Sequence, residues 1–382
     1  MQTLKALING RIFTGEKILH QHVLLVEKGH IIDIVPEHLL PQVKDCYDLN
    51  GGLLAPGFID VHVNGAAGEL LNHQPSAQAL QTIAQAHREY GTTAFLPTLM
   101  TDTWEQMINA VAAVVAAAEL GVPGILGIHL EGPYLNVERK GVHSAKRIRV
   151  PSSDEDINHL FDIFPAHLIK LITLAPERVS PEFIQRLIRH GMIVSAGHTE
   201  ASYDQMHIAL AHGVTGFTHL FNAMSPMTSR EPGVVGAALD HGDSWCGLIV
   251  DGHHVHPVTL RQAIKAKAKG KMMLVTDAMH TVGQGAGRFD LMGSPIVSEN
   301  GKVTTLNGTL AGSNLDMATA VRNTVQQVGL GLEEALRMAS LYPAQFLKLD
   351  HKIGRIAEGF QADLVLIDDH MQVQQTWIKG ET

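Results

Sequence analysis

Between Gly57 and about residue 277 the chain alternates short apolar runs with stretches of helical period. The apolar runs are "FIDVHV" (58–63), "TAFLPT" (93–98), "GILGIHLE" (124–131), "IKLITLAPE" (169–177), "MIVSAGH" (192–198), "GFTH" (216–219), "WCGLIVDG" (245–252) and "MMLVTD" (272–277). Segments of helical period lie between most of them, at 77–90, 104–120, 181–190, 202–212 and 257–268. Eight strands with intervening helices are what a (β/α)8 barrel, the TIM-like fold, requires. A doubly wound open sheet is the rival, and it does not need eight.

The two ends of the chain read differently. Residues 1–55 hold short strand-like segments, "LKALINGRIF", "HVLLVEKGHIIDIV" and "CYDLNGGLLAPG", with no amphipathic helix among them. After the eighth strand, "FDLMGSPIVSENGKVTTLNGTLAGS" is rich in turn dipeptides and suits a hairpin insertion. Helices are expected at about 314–328 and 332–347, and the tail returns to strand-like alternation in "GRIAEGFQADLVLID" and "VQQTWIKGE". The simplest topology is an α/β chain with three segments. Residues 1–55 and 351–382 together build a small β-sandwich, and residues 56–350 form a catalytic barrel.

Composition narrows the class. A formal net charge of -9 argues against a general nucleic-acid or membrane-surface role. Two cysteines, Cys46 and Cys246, supply neither a disulfide framework nor a CxxC metal site, and both are expected to be buried, in a reducing cytoplasm. The N-terminal residues lack the apolar core of a signal peptide. The longest apolar run, "AVAAVVAAAELGV", is too short to span a bilayer and contains Glu119. The 23 histidines permit metal chemistry without establishing it.

Placement on the barrel brings chemistry in. Active sites of such barrels lie at the C-terminal ends of the strands. Asp60, His62 and Asn64 share a face at the end of the first strand; Glu131 ends the third, His198 the fifth, His219 the sixth and Asp277 the eighth. His129 and Glu131 share a strand face, and a buried carboxylate is costly unless something cationic meets it. Glu131, His198 and His219 are suitable ligands for one divalent ion, with Asp277 beside it as general base. His129 is read as an interior residue that orients Glu131.

These residues sit in segments that carry a resemblance. "LLAPGFIDVHVNG", "GIHLEGPYLN", "KGVHS", "VSAGHT", "THLFNAM", "REPG", "VDGHHV", "VTDAM" and "GTLAGS" run in order from about residue 8 to residue 380. Together they resemble the N-acetylglucosamine-6-phosphate deacetylases of the amidohydrolase superfamily, and HLEGP and THLFNAM are specific to that branch. The resemblance implies a barrel with a β-sandwich from both chain ends, removal of acetate from a 2-acetamido sugar 6-phosphate, and a homodimer. By motif it makes Glu131, His198 and His219 the metal ligands, Asp277 the catalytic acid/base and His143 the residue beside the substrate carbonyl. It also assigns substrate contacts to Val142, Asn222 and Ala223, and to Leu310, Ala311 and Gly312. It gives the phosphate to Arg230 and His254, with Asp251 in the same segment, and a neighbouring subunit can supply these groups.

One departure bears on the metal. Many relatives carry His-x-His after the first strand and bind a second ion there, whereas this chain has His62-Val63-Asn64. Asparagine is a weak neutral ligand. One tightly held ion is therefore expected, Zn2+ first, with Fe2+, Mn2+ and Co2+ as alternatives. A second ion would be held only weakly, and His62 is read as lining the mouth. The rival functions are deacetylation of the galactosamine epimer and a metal-free scaffold of the same fold.

Overall fold

A computed structural model describes residues 4–151, 165 and 168–382. Residues 1–3 of the first expected segment lie outside the described residues. The chain divides into two compact units, one of Met1–Asp60, His87–Ala94 and Asp316–Thr382, the other of Val61–Ala86 and Phe95–Leu315.

The central sheet has eight strands in sequential order. They are β1 (Phe58–Val63), β2 (Thr92–Met100), β3 (Gly127–Glu131), β4 (Ile169–Leu174), β5 (Met192–Ala196), β6 (Gly216–Phe217), β7 (Trp245–Leu248) and β8 (Met272–Leu274). From β2 onward each neighbouring pair is parallel. A parallel bridge between Val63 and Ala278 joins the first strand to the segment after the last, which closes the barrel. Strands β1, β2, β3 and β7 are buried along their whole length, as strands packed on both faces must be.

Local chemistry starts the helices where the periodicity placed them. Ser202 caps the helix Tyr203–Ala211 through a reciprocal box with Gln205, and Ser180 caps Pro181–Arg189, whose proline occupies the first turn. Thr103 caps the long helix Trp104–Glu119. The expected hairpin insertion is a three-stranded antiparallel sheet of Gly287–Leu291, Ser294–Glu299 and Lys302–Thr305. The expected helix at 332–347 is two, Leu332–Ala339 and Leu341–Phe346, broken at Ser340.

Both chain ends build the small β-structure. One sheet has His30–Pro36, His22–Glu27, Lys5–Ile8 and Asp45–Asp48; the other has Val373–Trp377, Leu364–Ile367, Leu53–Pro56, Arg11–Phe13 and Ile18–Leu19. Period-two residues from the first sheet (Leu7, Leu24, Val26) and from the second (Ile12, Leu54, Leu364, Leu366, Trp377) form one shared core.

The cysteines differ from expectation. Cys246 is buried on β7, where burial pushes its thiol up to about 12, but Cys46 is exposed. Cys46 sits on Asp45–Asp48, an edge strand whose burial pattern is mostly open. A thiol reagent at pH 8 should therefore label one cysteine in the native protein and two in denaturant. Equal labelling rates for both in the native state would contradict this.

Candidate active site

Three barrel strands stop short of the residues that matter. His198, His219 and Asp277 lie two or three residues beyond the ends of β5, β6 and β8, at φ of 48°, 33° and 51°. The sequence suggested that these residues end their strands; instead each is the turn that leaves the barrel. A left-handed backbone is uncommon for residues with a Cβ, and such strain concentrates at functional sites. The segment after β6 carries three such residues, His219, Phe221 and Ala223. Glu131 differs: it is the last residue of β3, and the next residue must be glycine. Gly132 has φ of 96°, and a Cβ there would stand 2.1 Å from Thr101 Oγ1.

These turns bring buried polar groups together. Glu131 Oε1 lies 3.2 Å from His198 Nε2 and 3.1 Å from His219 Nε2, and the two nitrogens are 3.1 Å apart. The second carboxylate oxygen, Oε2, is 3.2 Å from His143 Nε2. All four residues are buried. Burial alone would raise the Glu131 carboxyl, but His62 and the close imidazoles of His143, His198 and His219 outweigh it and hold the carboxyl well below its usual range. Burial lowers the imidazoles of His143 and His219. At His198 burial also lowers, but contact with Glu131 prevails and raises it.

The tautomers separate ligand from donor. His198 Nδ1 lies 2.8 Å from the Arg139 carbonyl, which can only accept, so Nδ1 carries the proton. In the neutral ring the Nε2 lone pair then faces a carboxylate oxygen and another imidazole nitrogen. Lone pairs meeting in this way call for a cation between them, and the backbone bond to the far nitrogen is the usual support of a ligating histidine. A tetrahedral ion with bonds of about 2.0–2.1 Å sets its ligand atoms roughly 3.3 Å apart. The triangle of Glu131, His198 and His219 is close to that, so these residues fit a metal ion. Glu131, His143 and His198 also present ligand atoms within 4.8 Å of one another. His143 is nevertheless the opposite tautomer. The Thr101 amide donates to its Nδ1 at 3.2 Å, so the neutral ring carries its proton on Nε2 and offers a donor, not a lone pair.

Asp277 stands beside this group. Its Oδ1 accepts from Asn64 Nδ2 at 2.7 Å and lies 3.2 Å from His62 Nε2, which is itself 3.6 Å from Glu131 Oε1. Its backbone is tied on both sides, by its N–H to the His62 carbonyl and by its carbonyl to the Ser313 N–H. Asn64 thus directs its amide group toward Asp277.

Beneath the group runs a buried polar ladder. Thr98 Oγ1 donates to the Leu96 carbonyl, so it accepts from His129 Nδ1 at 3.3 Å. Neutral His129 then accepts at Nε2 from Thr173 Oγ1 at 2.7 Å, and Thr173 accepts from Thr218 at 2.7 Å. Burial and neighbouring His62 keep His129 well below its usual pKa, which fits the neutral ring this ladder needs. His129 was expected to orient Glu131; its ring nitrogens bond to threonines on adjoining strands instead, so it fixes the barrel floor.

A cavity of about 540 Å3 opens above, with every lining residue in the unit of Val61–Ala86 and Phe95–Leu315. Of the sequence-derived residues, Glu131, Val142, His143, His198, His219, Asn222, Ala223, His254, Asp277, Leu310 and Gly312 line it. Ala311 is fully buried behind that wall, its N–H bonded to the Val303 carbonyl. Asp251 supports His254 from behind, accepting from the Nδ1 ring nitrogen at 2.6 Å and from the backbone N–H groups of His253 and His254. Burial would raise the Asp251 carboxyl, but these bonds outweigh it and lower it. Arg230 is exposed and does not line the cavity. The sequence reading did not single out Met100, Arg139, Met279 or Lys302, which also line it. Lys302 had a signal, since it sits in the hairpin insertion next to an Asn-Gly turn.

Comparison with known proteins shows the family. The amidohydrolase family model matches residues 53–382, and the NagA composite domain model matches residues 5–54. The chain is 45% identical over 338 residues to an N-acetylgalactosamine-6-phosphate deacetylase of Shewanella sp. (strain ANA-3), covering 88% of this chain and 85% of the relative. It is 37% identical over 390 residues to the N-acetylglucosamine-6-phosphate deacetylase of Homo sapiens, covering 98% and 94%. The crystal structure of N-acetylglucosamine-6-phosphate deacetylase from Pasteurella multocida superimposes with a TM-score of 0.95 at 38% identity, covering 99% of both chains.

Proposed function

This chain belongs to the amidohydrolase family, and we propose that it removes acetate from N-acetyl-D-glucosamine 6-phosphate, leaving D-glucosamine 6-phosphate. The observation that carries this reading is the meeting of Glu131, His198 and His219 beside Asp277 and a proton-bearing His143 in one cavity. Glu131, His198 and His219 would hold one divalent ion, Zn2+ first, since a carboxylate and two imidazoles suit it and also suit Fe2+, Mn2+ and Co2+. When bound, such an ion supplies Lewis acidity, acidifying water to a pKa of about 7 and polarising a carbonyl.

The chain's own residues supply the rest. Asp277, aligned by Asn64 and His62, takes a proton from the attacking water and gives it to the departing nitrogen, because an unprotonated amide nitrogen is a poor leaving group. His143 Nε2–H donates to the carbonyl oxygen as charge grows on it, and the Thr101 amide keeps the proton on that nitrogen. Asn222 donates its amide to the carbonyls of His219 and Leu220, which braces the turn that carries the ligand and leaves its Oδ1 for a sugar hydroxyl. Because Asn64 donates to Asp277, a second ion at the first strand would be held only weakly. Arg230, outside its own chain's cavity, would reach phosphate as part of a homodimer. The composition supports a cytoplasmic site of action, and no helix among the described residues is long and apolar enough to cross a membrane.

The galactosamine epimer is a second reading, favoured by the Shewanella relative at 45% identity. Both readings use the same amide chemistry and differ in one sugar hydroxyl. Elemental analysis of the purified protein, together with acetate release from both 6-phosphates, tests them. We expect about one divalent ion per chain and turnover of at least one epimer. Metal-free protein that releases no acetate even after metal loading would leave only the scaffold reading.

A further inference from the structure

The hairpin insertion places a cation where the sequence motifs did not look for one. Leu291, Ile296 and Val303 of its three strands pack with Met100, Met279 and Ala311 in one buried cluster, so the insertion is anchored to the barrel segments that line the cavity. Its second turn ends at Gly301, whose Cβ position lies 3.6 Å from His253 Nε2. The hairpin tip therefore abuts the loop that carries His254. The residue next to Gly301 is Lys302, and the residue next to His253 is His254; both line the cavity.

Most charges around them are already committed, the exceptions on the wall being Lys302 and the Glu138 carboxylate. Arg139, the other strong cation on the wall, pairs with Glu200 through its guanidinium. Glu131 is held by the histidines, and Asp251 by His254. Lys302 faces Glu299 across the strand pair, yet no ion pair joins them, and among the described residues Lys302 has no carboxylate partner. His254 gives its Nδ1 side to Asp251, which leaves Nε2 for the cavity. An ammonium and an imidazole nitrogen thus stand on adjoining segments of one wall, in a protein with net charge -9.

We propose that Lys302 is a phosphate-binding residue of this cavity, acting with His254 on the 6-phosphate of the substrate. This rests on the reading of the substrate as a sugar 6-phosphate. The ordinary alternative is a solvated lysine guarding a strand edge. A charge-assisted contact of this type changes affinity by about 10- to 100-fold.

The test uses binding and turnover separately. Affinity for glucosamine 6-phosphate is measured by calorimetry on the metal-loaded protein, wild type against Lys302→Ala, Lys302→Arg and Lys302→Glu. Lys302→Ala should weaken binding about 10- to 100-fold, Lys302→Glu further, and Lys302→Arg should recover most of the loss. In steady state, Lys302→Ala should raise KM for the phosphorylated amide far more than it lowers kcat. Binding within twofold of wild type in both Lys302→Ala and Lys302→Glu would overturn the proposal. So would an equal fractional loss of kcat/KM on unphosphorylated N-acetylglucosamine. If the wild type binds the sugar phosphate but releases no acetate, the deacetylase reading fails while the binding comparison still decides the role of Lys302.

Discussion

Replacing Asp277 by Asn should leave a protein that folds and keeps its metal but releases acetate on the order of 10²–10⁴-fold more slowly. The carboxamide is nearly isosteric and retains an oxygen where Asn64 Nδ2 donates at 2.7 Å, and the backbone ties to His62 and Ser313 are untouched. What disappears is a group able to take a proton from water and return it to nitrogen. The loss should therefore fall on kcat, with KM changing little. Elemental analysis and steady-state kinetics on the same preparation check this. Near-normal turnover with full metal content would remove Asp277 from the proton path.

Replacing Glu131 by Gln should act in the opposite order, with metal lost first and activity lost as a consequence. Glu131 Oε1 is the one atom shared by His198 and His219, and it brings the negative charge that balances a divalent ion. Changes to groups that merely support a ligand cost about 10- to 100-fold in metal affinity, so loss of a charged ligand should exceed that. The variant should be purified with well under one ion per chain, and excess metal should restore activity only in part. Thermal melting gives an independent readout. An ion present at about 1,000 times its dissociation constant stabilises the folded state by about 4 kcal/mol. For a chain of this length that corresponds to a melting temperature about 5 °C higher. Chelation should lower the melting temperature of the wild type by that order and leave Glu131→Gln nearly unchanged. A variant that retains its metal and responds to chelation like the wild type would dismiss Glu131 as a ligand.

Several features were legible in the chain because they depend on neighbours in sequence. The barrel follows from eight apolar runs with helical periods between most of them, and the periods at 104–120, 181–190 and 202–212 match the helices Trp104–Glu119, Pro181–Arg189 and Tyr203–Ala211. The hairpin insertion follows from its turn dipeptides, while its three-stranded form is seen only in the structure. Strand ends were less legible. Residues His198, His219 and Asp277 continue an apolar run, and only a left-handed backbone at each of them ends the strand early. The exposure of Cys46 was equally hidden, because an edge strand and an interior strand can share a local pattern.

Which residue types stand at or just past the barrel strands, and so the candidate set of one carboxylate, two imidazoles and an aspartate, could be read from the chain alone. That much is carried by periodicity and motif, which are local. Tertiary structure alone decided what each group can do. His198 presents a lone pair because its one ring proton sits on Nδ1, bonded to the Arg139 carbonyl, and His143 presents a proton because the Thr101 amide occupies its other nitrogen. His129 turned from Glu131 to the threonines of adjoining strands, and Lys302 reached the cavity on a hairpin anchored by Val303. In each case the deciding partner lies many residues away, and a histidine's tautomer or a lysine's neighbourhood is set by whatever atom the fold brings within about 3 Å.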